Sequence, residues 1–291
     1  MGRGVEWALF FSLIFPLFQV GDGIASQQSR AQFPDHGINE VQFNEVLDVI
    51  EAVYGPLIEH RGLKFIIQRN WRDDTVNAMP FSSSSFMGLA VYGGLARYRG
   101  MTQDSFALVT CHELGHLLGG FPNGNPGLAN EGQADYFATA KCLRRVFAEP
   151  ASDSFSRLSF IDPTAEQACA RVFKQSSSRR ICVRSAMAAL SASLMTTGWG
   201  NEPEIPAFDT PDPYRTTVTD DRHMPKQCRL DTQFQGALCA KSANEDFSDT
   251  DPEPGACTES QGFTVGLRPR CWYYPPTTPD KQVQASGHPS D

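Results

Sequence analysis

The chain has 291 residues, 41% of them hydrophobic, and a formal net charge of −8. That length allows one large domain or two small ones around a sizeable core. The acidic balance argues against nucleic acid as a partner, because phosphate binding needs a basic surface.

Residues 1–25 stand apart. Arg3 precedes an apolar run, WALFFSLIFPLFQV (7–20), and small residues follow at Ala25 and Ser26. This is the order of a secretory signal peptide. The competing reading is a membrane anchor, but spanning takes about 20 apolar residues and Pro16 interrupts the run. No later stretch is long and apolar enough to span, so no stable transmembrane anchor is expected after signal cleavage. Residues 26–38 read as a loose leader. Apolar residues then recur at helical spacing from Ile38 to Ile58, with Gly55-Pro56 expected to bend or end the helix. LKFIIQRNW (63–71) is rich in β-formers and predicts a strand. Residues 72–86 read as a turn, a short strand and a polar loop, and 87–98 hold another strand, punctuated by Gly93-Gly94.

Thr102 is placed to cap the next helix, with Asp104 in its first turn. That helix runs through FALVTCHELGHLL to a stop at Gly119-Gly120, with Pro122 beyond. Turn formers fill 121–129. Asn130 then reads as an N-cap with Gln133 as its capping-box partner, opening a helix over EGQADYFATAKCLRRVF. Two more helices are expected near 164–175 and 179–197, loop over 200–222, and a short helix from about Pro225. Beyond Asn244 the chain turns acidic and rich in Pro and Gly, ending in a polar tail. The fold class predicted is α+β: a small early sheet with a mostly helical remainder. The boundaries expected are 1–25 signal peptide, 26–243 main domain and 244–291 a Cys-containing, Pro-rich extension.

All eight cysteines lie after residue 110, an even count that favours disulfides in an exported chain, periplasmic or secreted. Cys257 with Cys271 and Cys169 with Cys182 are the easiest local closures. Cys228 and Cys239 lie too far apart on one helix to bridge, roughly 16 Å. Cys111 pairs with Cys142 on the neighbouring helix in one reading. In the other its thiolate blocks a metal site as a latency switch.

Residues 110–117 read TCHELGHL. On a helix His112 and His116 project from one face one turn apart, able to grip one tetrahedral ion. Glu113 sits beside them, placed to take a proton from water rather than to bind metal. Two imidazoles leave such a site one protein ligand short. A metzincin would supply a third His at position 122, which here is proline, so that class is excluded. Glu131, fifteen residues after His116, is the alternative, since the Gly- and Pro-rich loop between them can turn the chain back. Asp135 shares a face with Glu131 and lies one turn deeper, where it can accept the second ring N–H of His112.

HELGH followed by NEGQAD resembles the gluzincin metallopeptidases, and within them most closely the CaaX prenyl protease and heat-shock protease family. The likeness extends upstream through VNAMPF and GLAVYGGLARY. It implies a zincin-like fold, one Zn²⁺ per chain on His112, His116 and Glu131, and catalysis through Glu113. It also implies that Ala90, Val91, Tyr92 and Gly93 form an edge strand lying along a peptide substrate. DDRHMPKQCRLD (220–231) resembles the family's late His-Pro…Arg segment, with Met224 where its proline should be; this implies that His223 donates to the oxyanion. The chain departs from the best-known members in lacking later membrane helices and in its cysteine load, so the resemblance implies an exported relative rather than a prenyl-protein protease. The function expected is zinc-dependent endopeptidase, acting on peptides or unfolded proteins. The alternatives are a zinc-binding chaperone or binding module of the same fold without hydrolysis, and an exported structural protein with no metal.

Overall fold

The computed structural model describes residues 36–125, 127–155, 160–195 and 205–276. The expected signal peptide and most of the leader and polar tail lie outside the described residues.

The first helix, α1 (Glu40–Glu59), opens on a reciprocal capping box between Asn39 and Gln42 and buries Phe43, Val46, Leu47, Ile50, Tyr54 and Ile58 on one stripe. It continues through Gly55 and Pro56 instead of ending there. Pro56 lies in the last turn, where its missing N–H removes a single intrahelical bond, and its own carbonyl accepts from the His60 N–H at 3.0 Å.

Strands β1 (Lys64–Asn70), β2 (Ala78–Ser82) and β3 (Phe86–Tyr92) form one sheet in the order β1-β3-β2. β3 runs parallel to β1 and antiparallel to β2. This corrects the expectation of an edge strand at Ala90–Gly93. Ala90 lies between Gln68 and Met79, and Val91 between Arg69 and Ala78, so the backbone there is paired on both sides. Tyr92 still pairs with Asn70, and Gly93 already belongs to a short helix, α2 (Gly93–Ala96). Among the described residues, β2 is the edge strand on that side of the sheet. Strand order is a tertiary property that no local periodicity encodes.

The sheet packs against α1 and against α3 (Gln103–Leu118), the helix that carries HELGH. Thr102 and Ser105 cap α3 reciprocally. Asp104 lies in the first turn of α3 as expected, where it is buried and held by a two-pronged bond from Arg184 at 2.9 and 2.7 Å. Most of α3 is buried, from Gln103 to Leu117, its polar residues included. Gly120 follows its C-terminus at φ +67°, a left-handed conformation that favours glycine.

After a small hairpin of β4 (Asn123–Asn125) and β5 (Leu128–Ala129), α4 (Glu131–Phe137) runs through a π-helical turn (Ala138–Cys142) into α5 (Leu143–Val146). The Asn130 side chain caps α4 by accepting the Gln133 N–H at 2.9 Å. Gln133 does not complete the box: it donates to the Gly119 carbonyl and accepts from Arg268. Helices α6 (Pro163–Val172), α7 (Ser176–Met195) and α8 (Lys226–Leu238) complete the α+β arrangement. α3 packs against both α4 and α7, and α8 packs against α4 and α7.

Four disulfides form: Cys111–Cys142, Cys169–Cys182, Cys228–Cys271 and Cys239–Cys257. The expected closure of Cys257 on Cys271 does not occur. Helix α8 holds Cys228 and Cys239 at opposite ends, and each end is tied to a different part of the C-terminal segment. No helix among the described residues is long and apolar enough to cross a membrane.

Candidate metal centre

Three helices and one loop converge on the site. Helix α3 brings His112, Glu113 and His116, α4 brings Glu131 and Asp135, and α8 brings Arg229 and Gln233. The approach of α3 to α4 depends on Gly115. A Cβ there would stand 2.7 Å from the Ala134 carbonyl oxygen, closer than the two backbones permit.

That approach gathers the donor atoms. His112, His116 and Glu131 each offer one ligand atom, all within 4.8 Å of one another. His112 Nε2 lies 3.3 Å from Glu131 Oε2, and His116 Nε2 lies 3.7 Å from Glu131 Oε1. Tetrahedral ligands bound at about 2.0–2.1 Å from an ion stand roughly 3.4 Å apart, so the three fit one ion.

Hydrogen bonds orient each imidazole. His112 Nδ1 is 2.8 Å from Asp135 Oδ1, and His116 Nδ1 is 2.9 Å from the Ala129 carbonyl oxygen. Both oxygens accept, so both Nδ1 atoms donate, and the Nε2 atoms are the ones turned toward Glu131. Glu131 Oε2 is buried, with His112 Nε2 at 3.3 Å and His223 Nδ1 at 3.2 Å but no well-aligned hydrogen bond to either. A buried carboxylate oxygen so weakly satisfied is costly and favours a cation beside it.

Asp135 is fully buried and accepts from four atoms. Besides His112, these are Arg229 Nε at 2.8 Å, Arg229 Nη2 at 2.9 Å and Gln233 Nε2 at 2.8 Å. Burial opposes its ionisation, but Arg229 and His112 outweigh that and hold its carboxyl far below the usual range. Burial likewise opposes charge on His112, yet Asp135 raises it to about 10. A metal binding at Nε2 therefore displaces a proton. Burial pushes Glu113 up to about 7, with His112 opposing and Glu131 adding to the rise.

His112, Glu113, His116, Glu131 and Asp135 all come together as the sequence leads one to expect. His223 stands beside them: its side chain is 75% exposed and its Nδ1 lies 3.2 Å from Glu131 Oε2. Ala90, Val91, Tyr92 and Gly93 do not line the cleft beside Glu113. Val76 and Asn77, which lead into β2, and Ala78, its first residue, do.

The sequence reading left three contributors without a role. Arg229 and Gln233, four apart on α8, carry a helix-face signal, but nothing local pairs them with Asp135. The Ala129 carbonyl is a backbone group and leaves no signal. No family model, no curated protein and no solved structure matches this chain.

Proposed function

We propose that the chain is a zinc-dependent endopeptidase of the gluzincin type with a zincin-like fold, exported from the cell. One observation carries the reading: a buried Glu131 oxygen that makes no well-aligned hydrogen bond faces two imidazoles whose other nitrogens are already committed. His112, His116 and Glu131 would hold the ion, and Asp135 would fix the orientation of His112. Two imidazoles and a carboxylate suit Zn²⁺ and leave a fourth position open. Zinc held there supplies Lewis acidity, making water a nucleophile near neutral pH and polarising a carbonyl.

Glu113 accepts the proton of the attacking water and returns it to the leaving amine, a role its place beside the two imidazoles allows. His223, exposed at the rim, donates to the oxyanion. The outer edge of β2, whose first residue Ala78 shares the cleft with Glu113, offers its backbone to an extended peptide or unfolded segment. Export rests on the signal-like segment at 1–25 and on four disulfides.

The test uses an unfolded casein-like substrate. Wild-type protein is expected to cleave it, to stop with a chelator and to recover with zinc. Glu113→Gln should lose at least about 100-fold in rate, the scale of general-base catalysis, while keeping its metal. Full cleavage by Glu113→Gln would sink the mechanism.

A further inference from the structure

We infer that the cavity behind α8 is a second binding site, one that takes a short peptide with free amino and carboxyl ends. Helix α8 turns Arg229 and Gln233 toward Asp135. Asp231 and Phe234 lie between roughly 140° and 200° round the helix from Arg229. There they line a separate cavity of about 890 Å³ that none of His112, Glu113, His116 and Glu131 borders. Its size falls within the range of roughly 300–1,000 Å³ usual for ligand sites.

Charges of both signs line this cavity without pairing. Asp231 Oδ2 accepts the Asp212 N–H at 2.7 Å, and its Oδ1 accepts from Gln227 Nε2 at 2.7 Å. Asp212 Oδ1 accepts the Tyr214 N–H at 2.9 Å. These neutral donors fill lone pairs but cancel no charge. Burial pushes the Asp231 carboxyl up to about 6, and the Asp212 carboxylate adds to the rise. The cations come from two neighbouring segments, joined where the Thr216 N–H meets the Arg270 carbonyl at 2.8 Å. Arg215 is exposed on one. Arg270, on the other, lies over the Tyr274 ring at 5.0 Å, and its buried Nε has no hydrogen-bond partner. Among the described residues neither arginine has an acidic partner and neither aspartate a basic one. The other charged groups of the wall, exposed Glu259 aside, are committed: Arg268 to Gln133 and two carbonyls, Glu253 to Ser260.

An ammonium answers the aspartates and a carboxylate answers the arginines, so one molecule carrying both ends cancels the charge left open. A ligand of one sign only would meet like charge at one end. Phe208 and Phe234, their ring centroids 4.5 Å apart, and Tyr214 add apolar wall, and aromatic faces also attract an ammonium. Free-ended short peptides are what the proposed hydrolysis releases, yet the site stands on these residues alone and not on that reading.

Calorimetric titration of the disulfide-bonded chain at about pH 7.5, where Asp231 is ionised, uses Ala-Phe-Ala in three forms: free, N-acetylated and C-amidated. The free peptide is expected to bind at least about tenfold tighter than either capped form. Asp231→Asn should erase the preference over the N-acetyl form and keep that over the amide, and Arg270→Gln should do the reverse. Circular dichroism checks each fold, and Arg215→Gln, at an exposed position, repeats the carboxylate test should Arg270→Gln misfold. Equal binding of the three forms, folded variants that weaken all three alike, or no binding at about 1 mM peptide overturns the inference. Glu131→Ala, which lacks a metal ligand, should bind the free peptide as the wild type does. Loss of binding there would place the peptide at the metal centre and overturn it as well. Casein cleavage is a separate readout, so any of these failures leaves the peptidase reading standing.

Discussion

Asp135 is the residue on which the geometry of the site turns. A fully buried carboxylate costs several kcal/mol unless paired, and here four donor atoms from three side chains surround it. The arrangement fixes the Nδ1–H tautomer of His112 and ties α8 to α3 and α4. Asp135→Asn keeps the shape but removes the charge, and turns an amide N–H₂ toward Arg229 or His112. Zinc affinity is expected to fall about 10–100-fold, the usual effect of losing a carboxylate behind a metal-ligating histidine. Competition with a chromophoric chelator measures it; an unchanged affinity would refute the orienting role. The pairing of Glu131 and Asp135 was legible in the sequence because i, i+4 spacing is a local property. Arg229 was legible only as the arginine six residues after His223, and Gln233 not at all, since they meet Asp135 across 94 and 98 residues of chain.

Between elements, the pairing of α3 with the α4–α5 run decides whether a site exists. Gly115 allows the close approach, and Cys111–Cys142 locks it, joining the residue before His112 to the π-helical turn that follows α4. With Cys111 in a disulfide, its thiolate is not offered to the metal as a latency switch. The bond closes a separation of 31 residues, for which chain entropy gives about 3–4 kcal/mol. The double substitution Cys111→Ser, Cys142→Ser is therefore expected to lower unfolding free energy by about that amount and to weaken zinc binding. Urea unfolding and chelator competition read the two effects; a loss below about 1 kcal/mol with full zinc affinity would show that packing alone holds the helices. Helix boundaries were legible here because caps are local: Thr102, Asn130 and Gly120 all act where the sequence put them. The place of β3 within its sheet was not, because burial on both faces marks a strand without saying what lies on either side of it.

At the scale of the whole molecule, the C-terminal segment backs the site. Trp272 is fully buried against Gly132, where a Cβ would lie 2.2 Å from its indole ring, so the residue next to Glu131 is glycine for a packing reason. Arg268 bonds Gln133 and the carbonyls of Pro252 and Phe121, and Tyr136 donates to the Gly266 carbonyl. Cys257, Cys271 and the WYY run (272–274) marked residues beyond Asn244 as a packed tail or a cover for the cleft, without saying that α4 is what they pack on. The expected Cys257–Cys271 closure failed for a related reason. Short loops are entropically easiest to close, but packing of this segment over α8 sets the pairing. All of these contacts converge on holding Glu131 opposite two imidazoles, so the central claim is that the folded chain binds one zinc ion. Elemental analysis of the purified, zinc-reconstituted protein tests it most directly. About one zinc per chain is expected in the wild type and in Glu113→Gln, and close to none in Glu131→Ala; a correctly folded wild-type chain that retains no zinc would contradict the account.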